Sequence, residues 1–137
     1  KEISKKEFVF NFDQDSNPKK ISKSIEIVYG LRNFIGNANK FANNSIFINL
    51  KSDSEFTELT IEDDGNGYPR DIISKIGEPY LKSNYSKDKS KEGLGLGLFI
   101  GKTLLEKNFA SVNCRNSKTR NGAEVVIRWK NKELFNI

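Results

Sequence analysis

The sequence predicts an α+β fold: a two-layer α/β sandwich, a mixed β-sheet covered on one face by three helices. Two observations predict it. Short runs of alternating or β-rich character come in pairs joined by turns, residues 45–50 with 55–62 and 111–115 with 124–129. Runs with three- and four-residue apolar spacing stand between and before those pairs. The order is β-α-β-β-α-loop-α-β-β over residues 1–137, with no internal repeat and the length of one domain.

The first strand is expected at 6–12, where apolar and polar residues alternate, and 13–20 is rich in turn residues. A long helix is expected at 21–43, with Ile21, Ile25, Val28, Leu31, Ile35, Ala38 and Ala42 making its apolar face. The strand pair 45–50 and 55–62 turns at 51–54. Asp63 to Pro69 is dense in turn residues, and Pro69 suits the first position of a short helix at 69–76. Residues 77–93 are polar and aperiodic, the mark of a functional or mobile loop. A helix follows at 95–108, then the second strand pair, which turns at 117–122.

Composition removes whole classes of chemistry. The 137 residues contain no His, so triads, Cys–His pairs and His-ligated zinc are absent. One Cys makes no intramolecular disulfide and fits a reducing compartment. The net charge of +5 is carried mainly by scattered Lys, which argues against a nucleic-acid reader and leaves an acidic partner or a polyphosphate open. No apolar run approaches the ~20 residues of a membrane helix, and no signal-peptide pattern is present. With Lys first and no Met anywhere, the chain is expected to be cut from a longer protein or processed.

Three local features carry chemistry. Asn33, Asn37 and Lys40 share one helix face, expected roughly opposite the apolar stripe. Amide oxygens suit Mg²⁺, and amide nitrogens and a Lys suit phosphate, although such a face is as readily just solvated. Asp63-Asp64-Gly65-Asn66-Gly67 puts a carboxylate at a strand end beside glycines that let a flat ligand approach. A polar turn would read the same, and an EF-hand is excluded by the missing Glu. Gly93, Gly95 and Gly97 open a helix, where backbone N–H groups suit phosphate. The run fits neither a P-loop nor a dinucleotide fingerprint, and a Gly-softened strand is its plain alternative.

In their order and spacing these motifs resemble the ATP-binding catalytic domain of sensor histidine kinases, in the superfamily shared with gyrase, MutL-type repair proteins and heat-shock chaperone ATPases. The likeness runs from Lys6 to about Trp129, and residues 77–83 and 93–108 look most like the RegB/PrrB-type redox-responsive sensor kinases. The resemblance implies the Bergerat-type ATP-binding fold, with ATP and Mg²⁺ bound. Asn37 would ligate Mg²⁺, Asn33 would support metal and phosphates, Lys40 would contact phosphate, and Phe41 would lie against adenine. Asp63 would accept the adenine amino group, and Gly65 and Gly67 would let the base slot in. Tyr80 would anchor a lid at 77–93, and Lys82, Lys87, Lys89 and Lys91 lie in it, one or two reaching phosphate. Gly93, Gly95, Leu96, Gly97 and Leu98 would form the hinge and the phosphate-facing helix start.

The hydrolysing relatives and the anti-sigma-factor serine kinases place a Glu base four residues before the metal Asn; here that residue is Asn33, an amide without useful basicity. The implied activity is transfer of the γ-phosphoryl group to a histidine on a separate dimerisation domain, serving a response regulator. A stand-alone anti-sigma-type serine kinase and a nucleotide-binding pseudo-kinase are the alternatives. No nucleic-acid partner and no direct membrane contact are expected. The parent is expected to be a homodimer anchored in the bacterial inner membrane, with this domain in the cytoplasm. Two positions depart from the pattern: Gly122-Ala123 replaces Gly-Thr, removing a polar contact near adenine, and Tyr68 replaces Ile or Leu. Cys114 is read as an ordinary buried or half-buried thiol.

Overall fold

The computed structural model describes residues 6–12, 24–69, 73 and 94–134, with the backbone alone at 11, 12 and 94–96. Its elements are β1 (Glu7–Phe12), α1 (Ile25–Phe41), β2 (Ser45–Ser52), β3 (Phe56–Asp63), α2 (Leu94–Lys107), β4 (Ser111–Asn116), β5 (Ala123–Lys130) and α3 (Asn131–Leu134). The strands form one sheet in the order β1-β2-β3-β5-β4. β1 and β2 are parallel, with α1 as their crossover, and the remaining pairs are antiparallel. The expected mixed sheet is therefore present.

Register explains where the core lies. Ile48 stands opposite Ile61, Ile61 opposite Val125, and Val125 opposite Cys114, so one apolar row crosses four strands. Because side chains alternate, Asp63 falls on the same face as Ile61, opposite Ile46. That places a carboxylate on the helix-covered side of the sheet, where Asp63 retains 3% of its exposure.

The long helix is shorter than expected and turned about its axis. Ser24 has extended backbone, and its side chain caps the first turn by accepting from Ile27 N–H. Ala42 ends the helix at the other side. The expected apolar face is buried only in part: Ala38 and Ala42 are buried and Leu31 and Ile35 half-buried, but Ile25 is 83% exposed, and Val28 is exposed too. The buried stripe is Gly30, Phe34 and Ala38, with Ile27, Leu31, Ile35 and Phe41 partly buried against the core. The cause is α2, which packs against α1. A Cβ on Gly101 would lie 2.7 Å from the Phe34 ring, so the ring occupies the space that a side chain there would need.

α2 carries Leu98 and Leu105 into the core with no exposed surface. The turn at 51–54 forms as expected, with Asp53 Oδ1 accepting from the N–H groups of Glu55 and Phe56 at 2.8 Å each. The short helix expected at 69–76 lies mostly outside the described residues; Ile73 is helical, and its N–H donates to Pro69 C=O at 3.0 Å. α3 was not expected. Its Asn131 ties the chain to the β2–β3 hairpin, accepting from Thr57 Oγ1 at 2.6 Å and donating to Asp53 C=O at 2.7 Å.

Candidate functional site

An apolar cavity opens between α1 and the sheet. Phe34, Asn37, Ala38 and Phe41 line it from α1; Ile61 and Asp63 from β3; Ala123 and Val125 from β5; and Gly67, Tyr68 and Pro69 from the segment after β3. Asp63 is its buried charge. Oδ1 accepts from Gly65 N–H at 2.8 Å and Ala123 N–H at 3.2 Å. Among the described residues no donor reaches Oδ2, which leaves that oxygen for a ligand. Burial pushes the Asp63 carboxyl above its ordinary 3.8, against the pull of the two N–H donors.

Backbone approaches closely on both sides of this carboxylate. A Cβ on Gly65 would lie 2.1 Å from Phe41 C=O, and one on Gly122 would lie 1.9 Å from Asp63 C=O and 2.4 Å from Oδ1. Gly65 was singled out in the sequence, but Gly122 was noted only as half of a Gly-Ala departure. A single glycine in a turn carries little signal without the strand pairing that sets it against Asp63.

The neighbouring Asp64 does opposite work. Its carboxylate accepts from the N–H groups of Asn43, Asn44 and Ser45 at 2.9 to 3.3 Å, joining the end of α1 to the start of β2. Desolvation raises its pKa, but these backbone donors outweigh it, so the carboxyl sits below its ordinary 3.8. A depressed carboxyl adds stability above its unfolded value and loses it as pH falls through the folded value. Asp64→Asn is therefore expected to lower the urea midpoint at neutral pH. The gap to wild type should close progressively below pH 3.8; a gap that persists in acid would count against this role.

The rotated stripe of α1 also re-sorts the helix motif. At about 100° per residue, Asn37 lies ~60° from Phe34, Asn33 ~100° and Lys40 ~120°. Asn37 therefore borders the buried face instead of lying opposite it, and lines the cavity. Its Nδ2 is buried and has no hydrogen-bond partner among the described residues. A Cβ on Gly97 would lie 3.1 Å from that nitrogen, so the first turn of α2 passes against the amide. Asn33 does not reach the cavity, because its Nδ2 donates to Tyr29 C=O at 2.9 Å. Lys40 is exposed, with Nζ 5.3 Å from the centre of the Phe41 ring. Gly95 and Leu96 lie in the first turn of α2, whereas Leu98 is a fully buried core residue. Tyr80, Lys82 and Gly93 lie outside the described residues, as does the whole of the lid at 77–93.

Cys114 is half-buried, and burial pushes its thiol up to about 11, despite a hydrogen bond with the Tyr68 hydroxyl that works the other way. Its half-buried placement is the one expected, and a pKa raised in this way favours the protonated thiol at neutral pH. Among the described residues no group of three acidic, His or Cys side chains is placed to hold a metal.

A buried donor without an acceptor, a carboxylate oxygen facing an apolar slot and a helix start beside them define a class: a two-layer sandwich built to hold a nucleotide. Residues 22–133 match the family described as histidine kinase-, DNA gyrase B-, and HSP90-like ATPase, and the chain belongs to that family. Within it the relatives are sensor kinases. Sensor histidine kinase RegB of Cereibacter sphaeroides is 37% identical over 108 residues, which are 75% of this chain and 23% of RegB. The chain thus spans about a quarter of that relative's length. Among solved structures, mycobacterial sensor histidine kinase MprB superposes with a TM-score of 0.72 at 22% identity, covering 93% of this chain and 83% of that one. Full-length ShkA in complex with AMPPNP superposes with a TM-score of 0.66 at 22% identity, covering 89% of this chain and 25% of that one. The expected fold class is borne out.

Proposed function

We propose that this chain is the ATP-binding catalytic domain of a two-component sensor histidine kinase, holding Mg²⁺-ATP and donating its γ-phosphoryl group to a histidine on a separate dimerisation domain. The observation that carries the reading is the pairing, in one cavity, of the Asp63 oxygen with the unpartnered Asn37 amide. Asp63 accepts the exocyclic amine of adenine, and Phe41, Ile61 and Val125 exclude water from the base. Asn37 lies towards the phosphates, beside the N–H groups of the first turn of α2. Its Nδ2 can donate to a phosphate oxygen, and a half-turn of the amide presents Oδ1 to a cation. One neutral oxygen fits Mg²⁺, which takes few protein ligands and keeps phosphates and water for the rest. When bound, the ion neutralises charge on the phosphates. The AMPPNP held by ShkA supports a nucleotide in this fold.

Asn33 adds no base, since it is an amide bonded to its own helix. Water is therefore not activated by this side chain, and catalysis rests on positioning. With no His among the 137 residues, the acceptor lies elsewhere. The reading includes a cognate response regulator and a homodimeric parent anchored in the bacterial inner membrane, with this domain on the cytoplasmic side. Among the described residues no helix is long and apolar enough to cross a membrane.

The test mixes this chain with the dimerisation domain of its parent, γ-labelled ATP and Mg²⁺. Acid-labile label on that domain's histidine is expected. ATP binding without transfer would mark a pseudo-kinase, and label on serine the anti-sigma type. Asn37→Ala is expected to weaken Mg²⁺-dependent ATP binding by about tenfold or more, the worth of one or two hydrogen bonds to charged groups. If Mg²⁺ changes neither protein's affinity, the metal role is wrong.

A further inference from the structure

We propose that Asn116 is a positioning residue of this cavity: its carboxamide holds the Tyr68 backbone and so sets the wall of the slot beside Asp63. Asn116 ends β4, and its Oδ1 accepts from Tyr68 N–H at 2.6 Å while its Nδ2 donates to Tyr68 C=O at 3.1 Å. Two bonds exchanged with one residue are how neighbouring strands pair. Here a side chain takes the place of the next strand for a segment that has none. Among the described residues it is the only partner of both Tyr68 backbone groups.

The turn is shaped around this amide. Gly67 has φ +78, and a Cβ there would lie 2.7 Å from Asn116 Oδ1. The same strand holds the other end of Tyr68, since Cys114, two residues earlier and on the same face, hydrogen-bonds the phenol. Asn116 is also paired with Ala123, whose N–H donates to Asp63 Oδ1. One side chain therefore connects the Tyr68 wall to the strand that holds the carboxylate. Asn116 does not itself line the cavity, so any effect on a ligand passes through Tyr68 and the turn.

The ligand readout rests on the ATP assignment above, and the experiment separates the two. Asn116→Ala and Asn116→Asp would be compared with wild type by amide exchange at Tyr68, by urea midpoint, and by calorimetric Kd for ATP and GTP. In Asn116→Ala the Tyr68 amide should exchange at least about tenfold faster, and ATP affinity should fall about five- to tenfold. The preference for ATP over GTP should narrow, because the slot beside Asp63 is no longer held. Asn116→Asp keeps the acceptor for Tyr68 N–H, so the amide should remain protected and the affinity loss should be smaller. Unchanged Tyr68 exchange in Asn116→Ala would overturn the proposal. So would a lower urea midpoint with the ATP-to-GTP ratio unmoved, which is what a merely structural role produces. If wild type binds no ATP, the proposed function fails while the exchange comparison still decides the clamp.

Discussion

Asp63→Asn is expected to remove measurable ATP binding while leaving the domain folded. Asparagine keeps an oxygen that can accept from Gly65 and Ala123, so the local frame survives. What changes is the other atom, from a charged acceptor to an N–H₂ donor facing the exocyclic amine of adenine. Losing a charged hydrogen bond costs about 1.5–3 kcal/mol, and leaving two donors unpaired adds about 1–3 kcal/mol. Together these come to about 2.5–6 kcal/mol, a loss of roughly sixtyfold or more in Kd. Stability should move the opposite way. Burial raises the Asp63 pKa, so the native state binds protons more readily than the unfolded chain. The ionised group therefore costs stability at neutral pH, a cost relieved as pH falls through the raised value. The neutral variant should melt at or above the wild-type temperature at pH 7. Calorimetry and thermal melts check both halves; undiminished affinity, or a large drop in Tm, would contradict this account.

Gly122→Ala is expected to damage both stability and binding. The new methyl would sit 1.9 Å from the Asp63 carbonyl oxygen and 2.4 Å from Oδ1, so β3 and β5 must separate or the carboxylate must swing. Overpacking of this kind costs about 1–3 kcal/mol, occasionally more. At ~4 °C per kcal/mol for a domain of this size, Tm should fall by about 4–12 °C. ATP affinity should fall with it, because Oδ1 leaves the N–H groups that aim it. A variant that melts and binds like wild type would show that the strands relax there at little cost.

The strands were legible because their alternation has a period of two and each turn carries Asp, Asn or Gly. Asp63 was legible as a carboxylate at a strand end beside glycines, and the structure adds that it continues the parity of Leu59 and Ile61. The stripe of α1 is right at Leu31, Ile35, Ala38 and Ala42 and wrong at its first turn, because a count of large aliphatics favours Ile25 and Val28, while the partner helix selects Phe34 by having glycine at position 101. That error also set Asn37 on the wrong side of the helix, although its identity as a site residue came through the motif. The resemblance implies a phosphate and metal role for Asn33, but its side-chain amide bonds its own helix carbonyl, and a motif does not record that. Asn116 and Gly122 act across strand pairings and have no local signature. α3 spans four residues, too few for any periodicity.

The adjacent aspartates give the domain an unusual dependence on phase. Asp63 ends the core-facing parity of β3, and Asp64 leaves it to seal the end of α1. Their roles follow from order alone, since the two residues are chemically identical. Inserting or deleting one residue in β3 would leave the composition almost untouched and exchange the two parities. The carboxylate stabilised by exposure to backbone donors would enter the slot, and the one suited to burial would face the helix end. A substitution scan would report Asp63 as a binding position and Asp64 as a stability position. A single-residue indel in the same strand should abolish both properties at once, which makes β3 far less tolerant of length change than of sequence change.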